Sequence, residues 1–204
     1  MVSKIDNGTY TVHTGKHMDN VDGRYARGGM SHATVWIPVQ AITLDGTTPP
    51  TATTVGTSAQ SQSRVLQFDD TTSDDVFIDF LVPNDYGSEL KMVIPYSCTD
   101  ATTTTAIVWA ADSVAIATDG TVVTDAAGTA CTPVGQVLDG TASFVQRVVL
   151  DLGANDTTLA PGRLCKIHLW RDHDHTAGGD AGIADDATAD AVLQGGVELI
   201  YRVK

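Results

Sequence analysis

Aromatic residues make up only 6% of this 204-residue chain, and the three tryptophans, Trp36, Trp109 and Trp170, all fall inside apparent strands. Trp109 and Trp170 read as core or interface residues, which leaves little of the aromatic platform that a sugar-processing cleft needs. Cysteine is also scarce. Cys98, Cys131 and Cys165 form no C-x-x-C pair and no zinc spacing. Their odd number leaves one thiol unpaired whatever the other two do, and Cys165 reads as a small buried hydrophobe. No apolar run approaches the roughly 18 residues that cross a bilayer. Met-Val-Ser-Lys-Ile-Asp has no hydrophobic signal region, so a protein made and kept in a cytoplasm is expected.

Catalytic signatures are missing as well. There is no serine in a G-x-S-x-G elbow, no phosphate-binding glycine loop and no H-E-x-x-H. Cys165 and His168 cannot act as nucleophile and base, because residues i and i+3 of a strand point to opposite faces. Asp69-Asp70 and Asp74-Asp75 flank a turn, whereas a glycosidase holds two acids across a cleft with separated pKa values. The chain is not expected to be an enzyme, and no cofactor is implied.

What is present is acid, threonine and alternation. The formal charge is −13. Residues 1–30 hold Lys4, Lys16, Arg24 and Arg27 against Asp6, Asp19 and Asp22, a balance of +1, so the remainder carries −14. Such a body repels phosphate backbones, so direct nucleic-acid binding is not expected. The near-neutral leader escapes that repulsion and can lie against another acidic surface.

The chain divides at about residue 32. Residues 1–32 carry no apolar period and are broken by Gly8, Gly15, Gly23, Gly28 and Gly29, so they cannot pack a core of their own. An arm of this kind gains order only against something outside the domain. Its Tyr10, His13, Arg24, Tyr25 and Arg27 are the residue types that anchor protein contacts, and they are the expected partner-binding residues.

Residues 33–204 read as about eight strands. An apolar segment runs from Ala33 to Leu44, and its Pro38 makes it an edge strand or places a bulge there. Residues 45–63 read as a long loop. Further strands are expected over 64–69, 75–82, 89–96, 106–117 and 143–152, with a weak one near 121–123. In 163–170, Cys165, Ile167 and Leu169 share one face. Val192 to Val203 closes the chain, bent at Gly195-Gly196. The one helix candidate is the Ala/Asp stretch 183–191. Turn spacing and the lack of crossover helices predict an all-β, antiparallel two-sheet jelly-roll sandwich with an extended N-terminal arm.

The densest polar cluster is Arg171-Asp172-His173-Asp174-His175, followed by Asp180, Asp185, Asp186 and Asp190. Asp172 and Asp174 are hard ligands and His173 and His175 are borderline ones, but EF-hand spacing is absent and no third ligand is fixed. A solvated loop at one end of the sandwich is the preferred reading, and no metal site is assigned.

Phe68-Asp69, Asp79-Phe80-Leu81-Val82-Pro83, a mid-chain tryptophan, and His168-Leu169-Trp170-Arg171-Asp172 before Val197-Glu198-Leu199-Ile200-Tyr201 occur in an order that resembles one family. It is a group of jelly-roll proteins encoded among the structural genes of tailed phages. The resemblance covers about residues 33–203. It implies a structural virion protein made in the host cytoplasm, most simply a capsid decoration or cement protein on the capsid surface. Such a protein would dock through its arm on the major capsid protein or other virion subunits, as a homo-oligomer with a trimer favoured, and would contact neither membrane nor nucleic acid. The alternative is a receptor- or carbohydrate-binding head or tail fibre module. That reading calls for exposed aromatics in end loops such as 99–105 or 172–186, and the sequence places none there.

Overall fold

The computed structural model describes residues 32–56, 62–116, 128–153, 158–174 and 183–204. The arm residues Tyr10, His13, Arg24, Tyr25 and Arg27, the weak strand near 121–123 and His175 lie outside the described residues. Thirteen strands occur among those described: β1 (His32–Pro38), β2 (Thr43–Leu44), β3 (Thr51–Val55), β4 (Ser63–Phe68), β5 (Asp75–Leu81), β6 (Tyr86–Cys98), β7 (Ala106–Ile116), β8 (Thr129–Ala130), β9 (Val134–Val137), β10 (Gln146–Asp151), β11 (Leu164–Arg171), β12 (Ala191–Gln194) and β13 (Gly196–Val203). All pairings are antiparallel.

A seven-stranded sheet follows the order β1-β13-β6-β12-β4-β3, with β10 also pairing β6. A six-stranded sheet follows β2-β5-β11-β7-β8, with β9 also on β7. The two pack into the all-β, two-sheet jelly-roll sandwich expected from the turn spacing. Strand alternation puts the apolar partners inside: Met92, Ile94 and Tyr96 of β6, Val148 and Leu150 of β10 and Val197, Leu199 and Tyr201 of β13 face Val76, Ile78 and Phe80 of β5, Ile107 and Trp109 of β7 and Cys165, Ile167 and Leu169 of β11. At the centre Trp109 meets Phe68 edge-on at 5.0 Å and Tyr96 at 5.6 Å, geometry that adds about 0.5–1.5 kcal/mol per pair beyond area burial. The three cysteines are buried free thiols, and burial pushes the Cys131 thiol up to about 11.

Three expectations are corrected. The single strand over 33–44 is two, because Pro38 ends β1 on the sheet edge and a 3-10 turn, Val39–Ala41, carries the chain to β2 in the opposite sheet. The long loop of 45–63 contains β3, which pairs Thr51–Val55 with β4. Its Thr-rich, largely exposed sequence carries no apolar alternation to announce it. The helix candidate 183–191 is an extended strap instead, leading into β12. Its aspartates bond backbone and guanidinium groups of neighbouring strands, the competition that makes Asp a poor helix former.

The Gly195-Gly196 bend is present, with φ of +75° and +147°. It separates β12 from β13 while both stay paired with β6. A Cβ on residue 196 would lie 2.2 Å from the Ile37 carbonyl oxygen, so glycine there lets β1 and β13 close up.

Candidate functional site

The polar cluster around Arg171 is a structural lock. Arg171 is fully buried at the end of β11 and spends its whole donor fork inside the protein. Nε and Nη2 bind the Asp185 carboxylate at 2.9 and 2.7 Å. Nη2 also donates to the Ala187 carbonyl at 2.8 Å, and Nη1 to Ala189 and Asp69 carbonyls at 3.0 and 3.4 Å. Burial opposes the charge, but the Asp185 contact outweighs it and raises the guanidinium further above its ordinary value. Asp185 and Asp186 accept from the Val108 and Ala106 backbone N–H groups, which ties the strap 183–190 to β7.

Asp172 is buried and its N–H donates to the Val108 carbonyl, while His173 Nδ1 lies 3.2 Å from Ser73 Oγ. Among the described residues, Asp172, His173 and Asp174 bring no three ligand atoms together, and His175 and Asp180 lie outside the described residues. Asp69, Asp70 and Asp190 do bring one carboxylate oxygen each within 4.8 Å of one another. Two of the three already have protein donors: Asp69 accepts from Thr71, which holds its carboxyl below the usual range, and Asp190 accepts from Gln67 Nε2. Asp74, by contrast, is pushed up by burial. In the 99–105 loop Asp100 caps Thr102, and it also accepts from the Thr188 N–H of the strap.

Two sheet faces carry the remaining chemistry. On the outer face of the six-stranded sheet, His168 is stacked between Phe77 at 4.9 Å and Trp170 at 4.5 Å. Its Nε2 lies 3.1 Å from Asp75 and its Nδ1 3.4 Å from Asp112. Burial disfavours the imidazolium, but the two carboxylates more than offset it and hold the pKa above the ordinary histidine value. This group too is internally satisfied.

The outer face of the seven-stranded sheet differs. In β1 the odd residues Ala33, Val35 and Ile37 pack on the core, which leaves Trp36 pointing outward and 52% exposed. Register sets Trp36 opposite Glu198, Glu198 opposite Val93 and Val93 opposite Val149, a row across four strands. At the usual inter-strand spacing that row is about 14 Å long. Beside it Pro95 pairs with Arg147, and Gln194 adjoins from β12. Together with Val145 these residues, apart from Val149, line an open trough of about 280 Å³. Gln194 Nε2 is bonded to Ser97, but among the described residues Arg147 and Glu198 form no ion pair and the Trp36 indole stacks on no other ring. Phe144, just before β10, is also half exposed.

The sequence reading did not find this trough. Its residues come from positions 36, 93–95, 145–147 and 194–198, brought together only by sheet register. One signal was available: Trp36 shares the polar face of an edge strand with Thr34, an uneconomical place for an indole unless it is used.

No protein-family model matches the chain, and no curated protein matches it in sequence. Among solved structures it is similar to the Cry4Aa toxin of Bacillus thuringiensis, with 15% identity and a TM-score of 0.45 over 84% of this chain and 24% of the toxin. It is also similar to a carbohydrate-binding module specific for non-crystalline cellulose, with 10% identity and a TM-score of 0.42 over 81% and 86% of the two chains. A third is the tailspike protein 4 enzymatically active domain of bacteriophage CBA120, with 10% identity and a TM-score of 0.34 over 99% of this chain and 22% of the tailspike. The chain thus spans about a quarter of the toxin's length.

Proposed function

We propose that this chain is a non-catalytic recognition protein of a phage particle, whose β-sandwich presents the Trp36 face to a ligand and whose residues 1–32 attach it to the particle. The observation that carries the recognition role is the half-exposed Trp36 set beside an unpaired arginine and an unpaired glutamate in a shaped trough. Binding sites are concave, largely apolar and fitted with a few unspent polar groups. Elsewhere, buried charged groups such as Arg171 and the stacked His168 are engaged within the protein.

Membership of a virion is supported by the ordered motifs from Phe68 to Tyr201. In that setting the arm, through Tyr10, His13, Arg24, Tyr25 and Arg27, lies on the major capsid protein or another virion subunit as a decoration protein does. Trimeric assembly would turn weak arm contacts into avidity. A head or tail fibre module that binds a receptor or carbohydrate is the second reading, and the trough favours it over a purely cementing role.

The two parts are separable in one experiment. Because β1 begins at His32, deleting residues 1–30 leaves every described strand intact. The full chain is expected to co-sediment with purified particles lacking it, and the truncated chain to remain folded and stay in the supernatant. Unchanged co-sedimentation of the truncated chain would refute attachment through the arm.

A further inference from the structure

We infer that the trough around Trp36 is a subsite for a neutral oligosaccharide, bound flat on the sheet face with one pyranose ring against the indole. The inference rests on the recognition reading above and adds the ligand class. Four observations select that class. The indole offers an apolar face without a ring partner, which suits the C–H face of a sugar. Glu198, Gln194 and Arg147 supply carboxylate, amide and guanidinium groups at the trough wall, the mixed acceptors and donors that hydroxyl groups need. Their charges cancel across the trough while the chain carries −13, which disfavours polyanions such as nucleic acid or acidic polysaccharide. A trough of about 280 Å³ lies near the lower limit for small-ligand pockets, and its seven lining residues are far fewer than the roughly 20–30 per side of a protein interface.

The floor is made of Val93 and Pro95, and Pro95 offers no N–H to the sheet. Gly195 adjoins the Trp36 side of the trough at a φ of +75°, and a Cβ there would meet indole Cζ2 at 3.7 Å, an ordinary van der Waals contact. A row of about 14 Å accommodates a short chain of sugars rather than a single ring.

The test is calorimetric titration of the full chain with soluble β-1,4-linked gluco-, manno- and xylo-oligosaccharides, α-1,6-gluco-oligosaccharides and polygalacturonate, alongside a glycan array. Saturable binding to at least one neutral saccharide is expected, with none to polygalacturonate. Trp36→Ala should weaken it by about tenfold or more, Trp36→Phe should restore most of it, and Glu198→Gln should give a smaller loss. Trp170→Phe, on the opposite sheet, should leave it unchanged. Silence across the panel and array would overturn the saccharide assignment, as would preference for the polyanion. A concentration-dependent dimer in sedimentation velocity that Trp36→Ala dissolves would assign the trough to a second copy and also overturn it. If saccharides fail but Trp36→Ala still abolishes adsorption to host cells, the recognition reading stands and only the ligand class falls.

Discussion

The Arg171 strap and the Trp36 trough hold similar inventories of charge and use them in opposite ways. At the strap, a fully buried guanidinium faces a buried carboxylate, and every donor of the fork is directed at an oxygen of its own chain. At the trough, Arg147 and Glu198 sit on strands flanking β6, an exposed arginine and a half-buried glutamate without an ion pair among the described residues, beside the most exposed indole of the three tryptophans. Sequence density of polar residues pointed to the first region, yet the second has the chemistry left over for a partner. A clustered set of Asp, His and Arg is a weak sign of function when the fold can consume it. Unspent groups brought together by register are a stronger one.

Four substitutions sharpen that contrast, from the largest expected effect to the smallest. Asp185→Ala strands a buried guanidinium and should cost about 3–5 kcal/mol in chemical denaturation. A loss under about 1 kcal/mol would mean that the strap does not lock the sandwich end. Gly196→Ala forces a Cβ onto the Ile37 carbonyl at a positive φ and should cost about 1–3 kcal/mol. By prising β1 from β13 it should also disturb the trough, which a shift in Trp36 fluorescence would report.

His168→Gln is next, at about 1 kcal/mol, and its signature is a pH dependence. The folded-state pKa is raised above the ordinary 6.5, so the ion-pair contribution is complete below about pH 6.5 and disappears as pH rises through the folded value. Denaturation of the two proteins across that range should therefore converge at alkaline pH. Divergence there would reverse the assigned sign. Trp36→Ala should change stability by no more than about 0.5 kcal/mol, although it removes a tryptophan, because the ring is half exposed on an edge strand. A large destabilisation would make Trp36 a packing residue and remove the basis of the recognition face.

Much of the fold was legible from residues. Cys165, Ile167 and Leu169 alternated clearly, and all three are fully buried. Pro38 marked an edge and Gly195-Gly196 a bend, because each leaves a distinct backbone requirement in the sequence. Short strands with exposed sides, β3 and β9, were illegible for the opposite reason: nothing about Thr51–Val55 or Val134–Val137 forces one face inward. The strap misled because alanine and aspartate fit a helix by composition, while Asp185 finds its partner 14 residues away, at the end of β11. The candidate site was the least legible part, since no two of its strands are neighbours in sequence except β12 and β13. The arm's anchors fall outside the described residues, so its docking role stands as a proposal on composition.

The recognition face is tested most directly by mapping amide chemical shifts of the full chain, by NMR, as fragments of host cell-surface polysaccharide are added. The account predicts saturable perturbations centred on Trp36, Val93, Gln194 and Glu198, with the Trp36 indole N–H moving furthest. Perturbations centred on His168 and Trp170, on residues 99–105 or on the strap, with the Trp36 indole unmoved, would contradict it.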